Sequence, residues 1–296
     1  MAVATNARQT ITTASGLAAA YEWCLAFARS HEENFTVISW LLPRELRPHF
    51  AAVYAFCRMT DDLGDEAEGD RLALLDRWEE EFRRSAAGSA RPVFAALRDT
   101  MARFSIPEEP FLRLIEANRI DQRKNRFETF AELLDYCSYS ATPVGRMVLP
   151  LLGYHDEERA RLADEICVGL QLANFWQDVS VDAAKGRIYI PLEDLRAFGV
   201  REEQIFERRL TGSFRLLMRH EVLRARGYFE RGRRLEELVD RRVRLDVRLF
   251  RLGGEAVLDA IARQCYDVLT RRPRVSGRRK AWLALSHGAR ILLLGR

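Results

Sequence analysis

Helical periodicity runs along almost the whole chain. Apolar residues recur every three or four positions in segments such as AAVYAFCRMTDDL, RLALLDRWEEEFRR and EVLRARGYFERGRRLEELVD, and this is the spacing of one face of an α-helix. Signals for strands, which are alternating β-branched runs and tight Asn-Gly or Asp-Gly turns, are scarce. Proline and glycine divide the chain into pieces of helix length, for example at Pro107, Gly186, Gly253–Gly254 and Pro273. The sequence therefore predicts an all-α protein with about ten helices or more.

Length and composition fit a single folded unit. The chain has 296 residues, of which 48% are hydrophobic and 30% are charged, which is enough for a large core. No gap between the helical segments resembles a flexible linker, and no repeat of fixed period occurs. We expect one domain over residues 1–296, with a poorly ordered N-terminus to about residue 20 and a C-terminal extension from about residue 274.

The sequence shows no signal for a membrane span or for export. No apolar run reaches the roughly 18 residues of a spanning helix, and the first residues lack the basic start and apolar core of a secretory signal. The five cysteines are scattered, without a C-x-x-C pair; they are Cys24, Cys57, Cys137, Cys167 and Cys265. We interpret them as small buried thiols in a reducing compartment rather than as metal ligands or disulfides. The expected location is therefore the cytoplasm.

Positive charge is concentrated at the C-terminal end. Residues 201–296 hold 24 Lys and Arg against 12 Asp and Glu, although the whole chain has a net charge of only +4. Such an excess fits nucleic acid, an anionic membrane surface or a solvated Arg-rich helix face. The arginines in RRVRLDVRLFRL alternate with Leu, Val and Phe, which favours amphipathic helices. We expect no nucleic-acid partner, and weak peripheral contact with the inner face of the membrane remains an alternative.

An acidic cluster ends one of the predicted helices. In HFAAVYAFCRMTDDLGDEAEGD, Asp61 and Asp65 are four residues apart, and so are Asp62 and Glu66. If the helix continues this far, Asp61 and Asp65 share a face one turn apart, where like charges repel. A positive group is therefore expected opposite them. The alternative is an ordinary solvated acidic helix end.

A second polar stripe lies more than a hundred positions later. Asn174, Asp178 and Asp182 recur at every fourth position between Gln171 and Asp182, and on a helix they form one line of side chains. They could face solvent while neighbours such as Phe175 face the core. A second cluster with the same oxygen-rich spacing argues for a shared purpose.

Oxygen ligands without Cys or His are typical of hard cations, Mg²⁺ or Mn²⁺ rather than zinc. Mg²⁺ keeps several waters and binds few carboxylates together with substrate phosphates, so two acidic stripes suit a Mg²⁺-bridged diphosphate. Lys185, Arg187 and Tyr189 follow the second stripe and could meet the phosphate oxygens. Aromatic side chains are available to line an apolar cavity, where their faces would stabilise a carbocation, or else to pack in the core. These are Phe35, Trp40, Tyr54, Tyr136, Tyr139, Phe175 and Trp176.

Three motifs resemble those of the squalene and phytoene synthase family of head-to-head isoprenyl diphosphate synthases. The first is Tyr54-Ala-Phe-Cys-Arg-Met-Thr-Asp-Asp-Leu-Gly-Asp-Glu66, and the second is Gln171 through Asp182 followed by Gly186-Arg-Ile-Tyr-Ile-Pro191. The third runs from Tyr136-Cys137 through Ala141 to Val144-Gly145. The resemblance spans roughly residues 20–270 and implies the isoprenoid synthase fold, a single-domain helical bundle around a central apolar cavity.

Within this family the chain resembles the branch that forms hydroxysqualene for hopanoid synthesis. Asn174-Phe-Trp-Gln-Asp178 is similar to that branch, and Gln177 stands where other members carry an arginine able to contact diphosphate. The implied reaction is the Mg²⁺-dependent conversion of presqualene diphosphate and water into hydroxysqualene and diphosphate. No NADPH is expected, and no G-x-G-x-x-G fingerprint occurs. The implied partners are the prenyl diphosphate substrate and, through functional coupling, other enzymes of the squalene pathway.

The resemblance also implies roles for individual residues. The metal ligands are Asp61, Asp65, Asn174, Asp178 and Asp182, with Asp62 as a weaker candidate. Substrate binding or orientation falls to Asn34, Phe35, Tyr54, Arg58, Gln171, Asn174, Lys185, Arg187 and Tyr189. The catalytic set is Arg58, Asp61, Asp65, Tyr136, Asp178 and Asp182.

Two alternative functions remain open at this point. One is a different family enzyme that condenses two prenyl diphosphates, namely a presqualene diphosphate, phytoene or dehydrosqualene synthase. The other is a non-catalytic helical protein that acts in assembly or binding.

Overall fold

A computed structural model describes residues 14–31 and 42–275, and this part of the chain is entirely helical apart from turns and loops. The prediction of an all-α fold is confirmed. The α-helices are α1 Ala14–Ser30, α2 Arg47–Asp65, α3 Arg71–Arg84, α4 Pro92–Phe104, α5 Glu109–Arg123, α6 Phe130–Ser140, α7 Thr142–Leu151, α8 Glu157–Ala184, α9 Leu192–Ala197, α10 Glu202–Phe206, α11 Gly212–Gly232, α12 Leu235–Leu238 and α13 Arg241–Arg263, with a 3-10 turn at Ser85–Ala87.

The boundaries bear on two expectations from the sequence. Helix α1 begins at Ala14, inside the stretch for which we expected poor order. No helix among the described residues is long and apolar enough to cross a membrane. The chain divides into two compact units, an N-terminal unit of Met1–Gln122 with Met147–Tyr154 and a C-terminal unit of Arg123–Arg146 with His155–Arg296.

Aromatic side chains form the centre of the N-terminal unit. Phe56 from α2 lies with its ring centroid 5.8 Å from Trp78, 5.3 Å from Phe82 and 5.2 Å from Phe111. The indole of Trp78 donates a hydrogen bond to the Thr60 hydroxyl over 2.9 Å, so its polar end is satisfied inside the core. This packing fixes the buried face of α2 and leaves its opposite face, with the acidic cluster, at the surface.

Helix α8 is the central element of the C-terminal unit. It spans 28 residues, and the Asp156 side chain caps its start by accepting from the Arg159 amide over 3.0 Å. Helices α11 and α13 pack along it. Phe229 of α11 is buried and contacts Gly169 of α8 and Gly254 of α13, where an added Cβ would lie within 3.0 Å of its ring.

The prediction that a helix ends at Gly253–Gly254 is therefore wrong. Helix α13 runs without interruption through both glycines, because Gly254 makes room for the Phe229 ring and does not end a helix. The Arg-rich segment does form an amphipathic helix, as predicted. Two of its arginines, Arg248 and Arg251, turn inward and bind the buried carboxylate of Glu236, with distances of 2.5 Å and 2.6 Å.

Candidate active site

Helix α2 continues to Asp65, and it divides the first acidic cluster into two stripes. Asp61 and Asp65 are exposed, one turn apart. On the neighbouring stripe, the Arg58 guanidinium binds Asp62 over 2.8 Å and Glu66 over 2.9 Å. One stripe thus has part of its negative charge balanced by Arg58, while the other, Asp61 and Asp65, presents two carboxylates to solvent. Asp62, predicted as the weaker candidate for a metal ligand, is paired with Arg58, and its role stays a prediction.

Helix α5 contacts the stripe formed by Asp61 and Asp65, which we call the open stripe, through two side-chain amides. The Asn118 side chain donates to Asp61 over 3.2 Å and to the Leu114 carbonyl over 3.1 Å. The Gln122 side chain donates to the Gly64 carbonyl over 2.9 Å. Gly64 allows this approach, since a Cβ there would lie 2.9 Å from Cγ of Asn118 and nearer still to its Oδ1.

Sequence reasoning did not single out Asn118 or Gln122. Their signal was present, because they lie four residues apart in EANRIDQR and therefore on one face of α5. The spacing of these two residues gave no reason to connect them with Asp61, which lies 57 positions before Asn118.

The environment of Asp61 disfavours an isolated negative charge. Desolvation by the surrounding protein raises its pKa to about 7, the hydrogen bond from Asn118 acts in the opposite direction, and the charge of Asp65 raises the pKa further. Asp61 nevertheless remains accessible to solvent, so the neighbouring protein desolvates this carboxylate without enclosing it. A divalent cation at the open stripe would relieve this repulsion and favour the ionised carboxylate.

The second stripe lies on α8 in the C-terminal unit. Asn174 is exposed, and Asp178 and Asp182 are partly exposed. Phe175 and Trp176, between them, are buried. The helix therefore separates a polar line from an apolar face. This separation is expected both for a solvent-facing surface and for a metal-binding stripe. The contacts of the polar side chains distinguish the two interpretations better than their exposure does.

Asp178 is paired with a cation from a distant part of the chain. The Arg272 guanidinium contacts both carboxylate oxygens, through Nε to Oδ1 and through Nη2 to Oδ2, the latter over 3.0 Å. Next to it, the Gln177 side chain donates to the Pro273 carbonyl over 2.7 Å. The sequence did not single out Arg272, and this contact shows that Asp178 occupies a position suited to positive charge.

The end of α8 places two basic residues directly after the stripe. The amides of Lys185 and Arg187 both donate to the Asp182 carbonyl over 2.9 Å, and Gly186 takes a φ of 78°, which glycine adopts without strain. Lys185 is exposed and Arg187 is partly exposed. The predicted helix break at Gly186 is confirmed, since α8 ends at Ala184.

Two predicted tyrosines lie in an aromatic stack beneath α8. Tyr189 stacks on Phe175 with a centroid distance of 4.0 Å and an interplanar angle of 10°. Tyr136 lies 6.0 Å from Tyr189 and 5.2 Å from Phe127. Both tyrosines are buried, so they can support the α8 stripe from below, and their contact with substrate stays a prediction.

The remaining predicted residues are distributed as follows. Tyr54 of α2 donates to the His31 carbonyl over 3.1 Å, one turn before Arg58. Gln171 is partly exposed on α8, just before Asn174. Asn34 and Phe35 lie outside the described residues, and so their roles stay predictions.

A further group of ligand-type side chains lies in the C-terminal unit, but it is already balanced by an arginine. Ligand atoms of Asp194, His220 and Glu221 lie within 4.8 Å of one another. Arg224 donates to Asp194 over 2.7 Å and to Glu221 over 3.1 Å. The guanidinium thus supplies the positive charge that a metal would bring, and the group is an internal ion network.

The candidate ligands fit Mg²⁺ or Mn²⁺ by their chemistry. All are carboxylate or amide oxygens, as hard cations prefer. Asp61 and Asp65 are accessible to solvent, and Asp178 already binds a cationic group. Metal ions of this kind would link such residues to the phosphate oxygens of a substrate.

Comparison with known proteins agrees with these features. A family model of squalene/phytoene synthase matches residues 28–279. The crystal structure of squalene synthase HpnC from Alicyclobacillus acidocaldarius is 53% identical, with a TM-score of 0.82, over 86% of this chain and 97% of that one. A dehydrosqualene synthase solved with a ligand is 25% identical, with a TM-score of 0.86, over 94% of this chain and 98% of that one. The chloroplastic phytoene synthase of Narcissus pseudonarcissus is 33% identical over 284 residues, which are 93% of this chain and 67% of the relative.

Proposed function

The chain belongs to the squalene/phytoene synthase family, and from this we propose that it converts presqualene diphosphate and water into hydroxysqualene and diphosphate. The observation that carries the proposal is the 53% identity to a squalene synthase of which it covers 97%, which favours the squalene branch over phytoene synthesis. The stretch Asn174-Phe-Trp-Gln-Asp178, which resembles the hydroxysqualene-forming branch, supports the same choice. The reaction would serve squalene and hopanoid biosynthesis.

In this proposal each of the two acidic stripes would supply metal ligands. Asp61 and Asp65 on α2, together with Asn174, Asp178 and Asp182 on α8, would ligate Mg²⁺, with Mn²⁺ as the alternative and Asp62 as an additional weaker ligand. Bound Mg²⁺ would neutralise the negative charge of the diphosphate and so make it a better leaving group.

The basic and aromatic residues would then act on the substrate itself. Lys185 and Arg187, at the end of α8, would donate hydrogen bonds to the diphosphate oxygens. Arg58 would balance the anion from α2, where it already sits between two carboxylates. Departure of diphosphate leaves a cyclopropylcarbinyl cation that rearranges, and the faces of nearby aromatic rings stabilise such a cation.

Water ends the reaction by adding to the rearranged cation. Its oxygen becomes the hydroxyl of hydroxysqualene, and its second proton is released to solvent. No hydride donor is required for this outcome, so no NADPH is expected. Tyr54, Tyr136, Gln171 and Tyr189, with Asn34 and Phe35, are proposed to orient the substrate or shape its surroundings.

Product identification tests this proposal. The enzyme is incubated with presqualene diphosphate and Mg²⁺, with and without NADPH, and the products are identified by mass spectrometry. Hydroxysqualene should form equally in both reactions. Formation of squalene only in the presence of NADPH would refute the assignment.

A second candidate is the condensation of two prenyl diphosphates. It is favoured by the 33% identity to a phytoene synthase and by the TM-score of 0.86 to a dehydrosqualene synthase. Incubation with farnesyl diphosphate alone, and with geranylgeranyl diphosphate alone, distinguishes it. Condensation of either substrate would replace our first choice with this one.

Location and partners complete the proposal. The basic excess in residues 201–296 supports weak contact with an anionic membrane surface by a cytoplasmic protein. Such contact would bring the enzyme close to other proteins that handle its apolar substrate and product. Cosedimentation with anionic vesicles, compared with neutral vesicles, measures the effect.

A further inference from the structure

A short segment after α13 lies across the polar stripe of α8 and is held by its own hydrogen bonds. We call residues 264–273 the Arg272 segment. The Gln264 side chain donates to the carbonyls of Asp267 and Arg271 over 3.0 Å and 3.1 Å. The Asp267 carboxylate accepts from the Thr270 amide over 3.0 Å. Val268 and Leu269 between them are fully buried, so the backbone of the segment is anchored independently of the Arg272 side chain.

The end of the segment is anchored to α8 itself. Pro273 is buried, and its carbonyl accepts a 2.7 Å hydrogen bond from the Gln177 side chain. This contact places the preceding residue, Arg272, beside Asp178, the next residue along α8. Two neighbouring contacts thus fix the position of the guanidinium. One is the hydrogen bond from Gln177 to the Pro273 carbonyl, and the other is the ion pair between Arg272 and Asp178.

The Arg272–Asp178 pair is an accessible ion pair with a parallel, two-point geometry. Two guanidinium nitrogens contact the two different oxygens of the same carboxylate. The side chain of Arg272 is 40% exposed and that of Asp178 is 25% exposed. The charge of Asp182, one turn further along α8, also acts on Arg272. Water screens such pairs, so the contact contributes little to folding stability and can open at low cost.

This position is where a divalent cation would have to approach. A carboxylate whose two oxygens face a guanidinium has fewer free lone pairs, and a metal at Asp178 would repel the nearby positive charge. The guanidinium fork matches phosphate oxygens as well as it matches a carboxylate. Since the backbone is anchored, only the side chain of Arg272 needs to move between these partners.

We propose that Arg272 is a further diphosphate-binding residue, which occupies Asp178 in place of the metal until metal and diphosphate arrive together. The inference rests on the proposed function, because it takes Asp178 as a metal ligand. It predicts that Arg272 opposes the binding of metal alone and favours the binding of diphosphate with metal. Occupancy of the site would therefore be coupled, with little metal bound in the absence of a diphosphate.

Two binding constants test this coupling without any turnover. The first is the affinity for Mn²⁺ alone, measured by electron paramagnetic resonance, and the second is the affinity for inorganic diphosphate at saturating Mg²⁺, measured by calorimetry. Arg272→Gln should tighten Mn²⁺ binding about two- to fivefold, because a screened charge is removed. It should weaken diphosphate binding about tenfold or more, because charge-assisted hydrogen bonds are lost.

Arg271→Gln is the matched control, since it removes the same charge from the exposed neighbouring side chain. Neither constant should change more than about twofold in this variant, because a screened surface charge has little effect. If both constants move in the same direction in Arg272→Gln, or if neither moves, the proposal is wrong. If Arg272→Gln loses its helical circular dichroism, Arg272→Lys serves instead, because it keeps the charge but not the two-pronged guanidinium. Arg272→Lys must then bind Mn²⁺ more tightly and diphosphate more weakly than the unmodified protein, each by a smaller factor than expected for Arg272→Gln.

Asp178→Asn and Asp61→Asn separate this inference from the proposed function. If both variants bind Mn²⁺ as tightly as the unmodified protein, the proposed metal site itself is refuted. If they weaken Mn²⁺ binding while Arg272→Gln changes nothing, the metal site stands and only the role of Arg272 fails.

Discussion

Replacing Gly64 with alanine tests whether the close approach of α5 to α2 positions Asp61. A Cβ at residue 64 would lie 2.9 Å from Cγ of Asn118 and 3.1 Å from its Cβ. Rotation of the buried Asn118 amide alone cannot relieve a contact that reaches the base of its side chain. An extra methyl group in such a packed site costs ~1–3 kcal/mol. Alanine regains up to ~1 kcal/mol in helix propensity. With that gain included, the net loss in the free energy of unfolding should be up to about 2 kcal/mol, with a central value of about 1 kcal/mol.

Urea unfolding followed by circular dichroism measures this loss. Gly212→Ala is the control, because Gly212 lies at the first turn of α11 and an added Cβ there meets nothing within 4 Å. It should leave stability unchanged or raise it by up to ~1 kcal/mol. The Gly64 variant should also bind Mn²⁺ more weakly, since displacement of Asn118 removes the hydrogen bond that positions Asp61. A Gly64→Ala protein as stable as the unmodified one would contradict the packing argument.

Three further predictions address the ion network, the helix packing and the metal ligands. Burial raises the pKa of Glu221 from its ordinary value of 4.5 to about 8, so the folded protein binds this proton more tightly than the unfolded chain does. The melting temperature should therefore fall as the pH rises from about 4.5 to about 8. Glu221→Gln should flatten this pH dependence. Gly254→Ala would place a Cβ 3.0 Å from Cε1 of Phe229 and nearer still to its Cζ. After the gain in helix propensity, a net loss of up to ~2 kcal/mol in the free energy of unfolding is expected from urea denaturation. An unchanged unfolding midpoint would show that α13 can move aside. Asp61→Asn and Asp178→Asn should each lower kcat roughly 100-fold or more while retaining helical content, and a normal turnover rate in either would refute the metal assignment.

The all-α fold and both polar stripes could be predicted from the sequence because each depends on local periodicity. Asp61 with Asp65, and Asn174 with Asp178 and Asp182, follow from the helical repeat alone, and the helices do extend through both stripes. The turn after Asp182 was likewise marked by a glycine. In each case the information lies within a few residues of the feature.

The partners of these residues could not be predicted, because they come from distant parts of the chain. Asn118 reaches Asp61 across 57 positions, and Arg272 reaches Asp178 across 94. Such contacts depend on how helices pack, which the periodicity of a single helix does not determine. Gly254 shows the same limit, since the sequence alone cannot distinguish a glycine that ends a helix from one that admits the ring of Phe229.

In the proposed reaction, water captures the carbocation formed from presqualene diphosphate. Turnover in H₂¹⁸O with Mg²⁺ and without NADPH, followed by mass spectrometry of the extracted product, tests it most directly. We expect hydroxysqualene with one ¹⁸O atom in its hydroxyl group and no ¹⁸O in the released diphosphate, because the bond that breaks is the one between carbon and the diphosphate oxygen. Unlabelled product, or label found in the diphosphate instead, would contradict it.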